Sequence, residues 1–223
     1  MKKILLILVA IVAVLSAGNY RAVPMDKAQI LQSGKTKMFC NVCGMTLPMF
    51  YKTNHAATVN GETKQYCSIH CMFEDAMKHG VEVKDPKVVD NSTMKFMDAT
   101  KAYYVVGSNK PGTMSMVSKY AFGTKDAAEK FAKEYGGKIM TYDKVATLVK
   151  KNLKKEIAAI KKKQAKMAMM GKKAYEKMCK MTDKRFDSPA VAKAYVVENK
   201  LCGNLKGKKL QAIALYLSGK GKM

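Results

Sequence analysis

The sequence has no tryptophan, only three histidines and only two arginines among its 223 residues. Its 41 basic residues are therefore almost all lysine, and with 17 acidic residues they give a formal net charge of +24. Because bidentate recognition of bases and phosphates favours arginine, this composition argues against a sequence-specific nucleic-acid-binding protein. It remains compatible with loose attraction to anionic membranes or acidic partners.

Sulfur-containing residues are unusually frequent. The chain has six cysteines and 18 methionines, and soft sulfur donors select soft metal ions. At 48% hydrophobic residues the chain can bury a core and is not compositionally disordered.

The first residues predict export. Lys2 and Lys3 precede an unbroken apolar run over 4–15, and small residues follow at 16–18. This run is short for a membrane span and is typical of a secretory signal, so we predict a signal peptide over 1–18 and a periplasmic protein. The alternative is an uncleaved N-terminal anchor.

Residues 38–143 predict an α+β domain made of two packed β-β-α-β units. Asn60-Gly61 is a strong hairpin signal. Helices are expected near 68–79 and 124–135, each followed by a short strand, at 81–84 and 138–142. Residues 19–37 are polar and are expected to form a loose leader.

The composition then shifts toward lysine. Residues 144–166 predict a basic amphipathic helix with one apolar stripe. Its lysines form either a solvated face or a surface for peripheral membrane or acidic-partner contact. Residues 167–223 predict a small helical tail around Cys179 and Cys202, for which a disulfide is the simplest role.

Four cysteines within residues 40–71 are the strongest chemical signal. Cys40 and Cys43 lie on a turn closed by a glycine, whereas Cys67 and Cys71 flank the start of a helix, where the helix dipole favours a thiolate. Such a set is compatible with a closed four-cysteine zinc site or with a disulfide.

Neighbouring residues favour copper over zinc. Met45 directly follows the first pair, and His70 lies beside Cys71. Met114 lies in a loop marked by proline and glycine, where packing does not explain a methionine. Because thioether ligands suit Cu(I) and not Zn(II), these residues point to Cu(I), with Zn(II) as the alternative.

Residues 38–147 resemble the NosL family of copper-binding accessory proteins of nitrous oxide reductase assembly. The resemblance is carried by several ordered pieces: Phe39–Met45, Met97–Ser108, Met114, Ala121-Phe122, Ala127–Ala132 and Gly136-Gly137. Residues 40–75 also resemble the shorter YHS and TRASH metal-binding modules.

The resemblance implies two β-β-α-β halves and Cu(I) delivery to an apo copper enzyme, nitrous oxide reductase, and its membrane maturation machinery. Carried over by position, Cys43 and Met45 match the family's Cys-Gly-Met, and Met114 matches a loop methionine. The expected ligand set is therefore Cys43, Met45 and Met114. His70 or Cys71 is expected as an addition, because both lie at the start of the predicted helix. Cys40 and Cys67 are then further ligands or a structural pair, which keeps zinc and disulfide roles open.

The tail faintly resembles the first and last helices of small cytochromes c, but the sequence has no Cys-x-x-Cys-His motif for haem.

An enzyme is not expected. A thiol oxidoreductase using Cys40 and Cys43 would need a helix directly after the pair, and Gly44, Met45 and Pro48 interrupt one. The sequence therefore predicts a metallochaperone, and the alternative is a zinc-binding or disulfide-stabilised partner-recognition module.

Overall fold

The computed structural model describes residues 19–220, so the predicted signal peptide over 1–18 lies outside the described residues. Within these residues, seven strands and five α-helices follow one another. The strands are β1 (His55–Val59), β2 (Glu62–Tyr66), β3 (Lys84–Val89), β4 (Phe96–Asp98), β5 (Tyr103–Val106), β6 (Lys119–Phe122) and β7 (Lys138–Thr141). The helices are α1 (Ile69–His79), α2 (Lys125–Tyr135), α3 (Tyr142–Met178), α4 (Pro189–Glu198) and α5 (Gly207–Leu217).

The two predicted β-β-α-β units are present, which confirms the α+β prediction. The first unit forms a four-stranded sheet in the order β2-β1-β3-β4, and the second a three-stranded sheet in the order β6-β5-β7. All strand pairs within the two sheets are antiparallel. Asn60 and Gly61 adopt positive φ angles of 54° and 77° at the β1–β2 hairpin, as the Asn-Gly signal predicts.

One hydrophobic core joins the two units. It contains Tyr66, Met72 and the four cysteines from the first unit, Tyr104 from the second, and Val149 from the first turns of α3. The cysteine cluster is therefore part of the main core of the domain.

Two local expectations are wrong. The strand after α1 spans Lys84–Val89 and not 81–84, because Val81 still closes the helix end by donating its N–H to the Ala76 carbonyl. The leader is not loose, since the side-chain oxygen of Gln32 accepts from the backbone N–H of Gln65 at 2.7 Å.

Helix α3 is 37 residues long and continues past residue 166 without interruption. The predicted boundary between a basic helix over 144–166 and a separate tail therefore lies inside one helix. Residues 145–153 bury an apolar stripe on the domain, residues 154–164 include no buried position, and burial resumes at Ala165. No glycine or proline occurs in the helix before Gly171, so nothing in the local sequence stops it. Among residues 19–220, no helix combines the length and hydrophobicity that a bilayer span requires.

The last two helices fold back onto the far half of α3. Their core contains Tyr175, Val196, Leu210 and Ile213. A disulfide joins Cys179 to Cys202, which confirms the structural pair expected for this segment.

Candidate metal centre

The first two cysteines project from a tight turn. The Cys40 N–H donates to the Met45 carbonyl, and the Gly44 N–H donates to the Cys40 carbonyl, both at 2.8 Å. Gly44 has a φ of 72°, in the left-handed region that glycine adopts without a steric penalty. The turn therefore holds Cys40 and Cys43 close together, as the spacing predicted.

The other two cysteines flank the start of α1. Cys67 ends the loop before Ser68, the N-cap residue, and Cys71 lies in the first turn. The Ser68 side chain makes no capping hydrogen bond, and its Oγ is buried without a partner among the described residues. The preference of a helix start for a thiolate is outweighed in the metal-free cluster, because hydrogen bonding to the neighbouring thiols, together with burial, raises the pKa of Cys71 well above its usual value.

The four thiols converge. Their Sγ atoms all lie within 4.8 Å of one another, with 3.5 Å between Cys43 and Cys67 and 3.7 Å between Cys67 and Cys71. Four sulfurs bound to one ion at about 2.3 Å in a tetrahedron would be separated by about 3.8 Å. Each cysteine is at most 1% exposed. The cluster therefore has the dimensions of a single buried metal site.

The thiols share their protons unevenly. Burial opposes ionisation of Cys40, yet hydrogen bonds from the other three thiols hold the pKa of Cys40 well below its usual value. Burial, followed by hydrogen bonding to Cys40, raises the pKa of Cys67 well above its usual value. Cys40 is therefore a thiol that ionises readily in the metal-free cluster, and an incoming soft ion would displace the protons of Cys67 and Cys71.

The two predicted methionine ligands, Met45 and Met114, are partly buried and pack against the large hydrophobic core that contains the cysteines. The Met114 loop is anchored beside Cys67 through Thr53, whose Oγ1 lies 2.8 Å from both the Thr113 Oγ1 and the Cys67 carbonyl. A loop of the second unit therefore lies against the first unit, next to the segment that carries Cys67.

His70 lies between the carboxylates of two glutamates and hydrogen-bonds to one of them. It is 1% exposed, with Nδ1 3.0 Å from Glu156 of α3 and Nε2 3.4 Å from Glu74. Glu156 also accepts from the Ser115 hydroxyl at 2.8 Å. Of the two additions expected at the start of α1, the structure brings Cys71 into the cluster and places His70 against α3.

Sequence reasoning missed two residues of the C-terminal helices. Lys193 on α4 is 2% exposed and donates to the Gly44 carbonyl at 2.8 Å and to the Gln211 side chain at 2.6 Å. Gln211 on α5 donates to the Cys43 carbonyl at 2.7 Å. Burial lowers the pKa of Lys193 to about 8, against the opposing effect of Cys43 and Cys40. No local signal separates this lysine from the others.

The fold and the cluster define an α+β protein with a buried four-thiol group able to hold a soft metal ion. The model of the NosL family matches residues 32–149, more than half of the chain. The protein belongs to the NosL family.

Individual relatives carry different names. The chain is 26% identical over 132 residues, 59% of this chain and 69% of the relative, to the HTH-type transcriptional repressor CutR of Bacillus subtilis. It is 25% identical over 135 residues, 54% of this chain and 70% of the relative, to the copper-binding lipoprotein NosL of Stutzerimonas stutzeri. The crystal structure of the copper chaperone NosL from Shewanella denitrificans matches with a TM-score of 0.41 and 27% identity, covering 54% of this chain and 96% of the other.

Proposed function

We propose that this protein is a periplasmic metallochaperone that carries Cu(I) on its cysteine cluster and delivers it to an apo copper enzyme. The observation that supports the proposal most strongly is the convergence of four thiols within 4.8 Å in a NosL-family domain. Because thiolates are soft ligands, they suit Cu(I) as cargo. The proposed recipient is nitrous oxide reductase, reached through its membrane maturation machinery after export directed by residues 1–18.

The methionines have a distinct role in this proposal. A buried set of four thiolates binds Cu(I) tightly, and transfer needs ligands that leave one at a time. Met45 and Met114 are partly buried and pack against the core that contains the cluster, and their neutral sulfurs bind Cu(I) more weakly than thiolates do. We infer that they take the ion as thiolates release it.

A closed structural zinc site is the second candidate function. The Sγ separations of 3.5 and 3.7 Å are close to those of a tetrahedral four-sulfur site, and the cluster is fully buried, as structural zinc sites usually are. In that case the ion stabilises the fold, and neither Met45 nor Met114 touches it.

Metal competition separates the two candidates. Protein purified without oxygen is offered Cu(I) and Zn(II) together, and the bound metal is measured at equilibrium with a chelator for each ion. One Cu(I) per chain, held against excess Zn(II), supports the chaperone. Retention of Zn(II) against Cu(I), with unfolding when zinc is removed, supports the structural site.

Ligand variants then test the site. Cys67→Ser removes a ligand and should weaken Cu(I) binding by more than the roughly 10- to 100-fold that is lost when only a hydrogen-bond partner of a ligand is removed. A Cys179→Ser/Cys202→Ser double variant should not weaken it. Met114→Ala should slow transfer to an apo copper protein, and its matched control is Met116→Ala, because Met116 lies in the same loop and is 86% exposed. Equal transfer rates for the two methionine variants would contradict the assigned role of Met114.

The basic middle of α3 provides a second contact surface in this proposal. Residues 154–164 lack buried positions, and Lys154, Lys155 and Lys161–Lys163 are exposed. We infer peripheral contact with an anionic membrane surface, where each lysine contributes about 1 kcal/mol. Co-sedimentation with phosphatidylglycerol vesicles, but not with phosphatidylcholine vesicles, is the expected result, and its absence at low salt would refute the contact.

A further inference from the structure

The C-terminal helices lie directly on the cysteine turn. A Cβ atom added to Gly44 would be 2.8 Å from Cβ of Pro189, the first residue of α4. Ala190 and Ala194 of α4 are buried against Phe39, which precedes the turn. The segment after residue 149 lies outside the region that the family model matches, so this cover is an addition of this chain to the family domain.

Two polar side chains of α4 and α5 donate hydrogen bonds to the backbone of the cysteine turn. Lys193 donates to the Gly44 carbonyl at 2.8 Å, and Gln211 donates to the Cys43 carbonyl at 2.7 Å. The two are linked to each other, since the Gln211 oxygen accepts from Lys193 at 2.6 Å. Residues from two helices therefore hydrogen-bond to two successive carbonyl groups of the turn, those of Cys43 and Gly44.

Lys193 is a buried cation without a carboxylate. Among residues 19–220, no aspartate or glutamate forms an ion pair with it. Its ammonium group donates to oxygens of Gly44, Thr46 and Gln211 and lies 5.1 Å from the centroid of the Phe39 ring. None of these partners carries a full negative charge, so a nearby negative charge would further lower the cost of burying the cation. Four thiolates supply one, because their charges exceed that of either Cu(I) or Zn(II).

We propose that Lys193, held by Gln211, is a positioning residue of the metal centre whose positive charge offsets that of the thiolates, and that the helices carrying it slow metal release. This inference rests on the proposed function in placing the metal on the cysteine cluster. It adds a specific determinant of affinity and exchange, located outside the family domain.

The test measures how much metal stabilises each variant. Lys193→Leu removes the charge without adding a metal ligand, and Lys209→Leu is the matched control because Lys209 is exposed on α5. The melting temperature is recorded for the full-length chain, metal-free and with Cu(I) buffered by a chelator. The rate of Cu(I) release to excess bathocuproine disulfonate is measured in parallel.

Lys193→Leu should weaken Cu(I) binding by about tenfold or more, so the increase in melting temperature on metal loading should shrink. Release should accelerate by a similar factor, while Lys209→Leu matches the parent in both measurements. Gln211→Leu should accelerate Cu(I) release to a smaller extent, because it removes the hydrogen bond to the Cys43 carbonyl but no charge.

A purely structural lysine would lower the metal-free and metal-loaded melting temperatures equally. An unchanged metal-induced increase in Lys193→Leu, whatever the metal-free stability, would overturn the inference. If the parent protein binds no metal at its cysteines, the proposed function fails first. If the parent binds metal and the variant does so equally well, only the role of Lys193 fails.

Discussion

Helices α3 and α5 cross with almost no space between their backbones at Gly171. A Cβ atom added there would lie 2.0 Å from the Ala212 carbonyl oxygen, 2.3 Å from the Ala212 carbonyl carbon and 2.9 Å from the Ile213 nitrogen. Since ordinary contact begins at 3.4 Å, Gly171→Ala would force the helices apart by about 1.4 Å. All three neighbours are main-chain atoms, so no side-chain rotation can relieve the clash.

The expected net effect of Gly171→Ala is a loss of about 2 kcal/mol in the free energy of unfolding. Overpacking against backbone typically costs up to about 3 kcal/mol, and the better helix propensity of alanine returns about 1 kcal/mol. Denaturant unfolding of the metal-free protein with its disulfide intact measures the difference. Met170→Ala is the control, because Met170 is 61% exposed in the same turn and should change stability by at most about 0.5 kcal/mol.

The opposite sign would refute this reasoning. In a helix interior free of neighbours, Gly171→Ala stabilises by about 1 kcal/mol, so a more stable variant would show that α5 does not cross α3 there. A destabilised variant should also release Cu(I) faster, because α5 carries Gln211, which hydrogen-bonds to both Lys193 and the Cys43 carbonyl.

Three further predictions concern stability. Burial lowers the pKa of His55 to about 4. The contribution of neutral His55 to the free energy of unfolding should therefore be fully present above the unfolded-state pKa of about 6.5 and fall by about 3 kcal/mol as the pH drops to 4. His55→Gln should flatten that pH dependence in denaturant titrations of the metal-free protein. Replacing Cys179 and Cys202 with alanine should cost about 3 kcal/mol, given a sequence separation of 23, and an unchanged midpoint of unfolding would contradict this estimate. Lys35→Ala should leave the melting temperature nearly unchanged, since its ion pair with Glu198 is 78% and 50% exposed.

Features coded by adjacent residues were predictable from the sequence. The bounds of α1 and α2 agree with the expected bounds within one residue. Thr124 caps α2 by accepting from the Ala127 N–H, and Gly80 ends α1 in the left-handed conformation, whereas Ser68 stands at the start of α1 without a capping hydrogen bond. The position of β3 was not predictable in the same way. Its register is fixed by pairing with β1, where Val88 lies opposite His55, a partner that no short window contains.

The candidate site shows the same limit. Spacing identified the four cysteines, because a turn and a helix start each constrain a pair. It could not establish that the pairs meet, nor that His70 faces Glu156 while its neighbour Cys71 enters the cluster. The role of Lys193 lay beyond any local signal, since it depends on α4 returning to a turn about 150 residues earlier in the chain.

The proposed function requires the metal site to open, yet the cysteine cluster is buried and covered by α4 and α5. The two requirements are compatible because the cover and the ligands belong to different parts of the fold. The cysteines are fixed by the domain core, whereas the cover is fixed to the turn mainly by the packing of Pro189 and by hydrogen bonds from Lys193 and Gln211. Displacing α4 and α5 would therefore expose the cysteine turn without unfolding the domain. On the proposed model the family domain supplies the thiolate ligands, and the C-terminal helices adjust affinity through Lys193 and slow release by covering the turn.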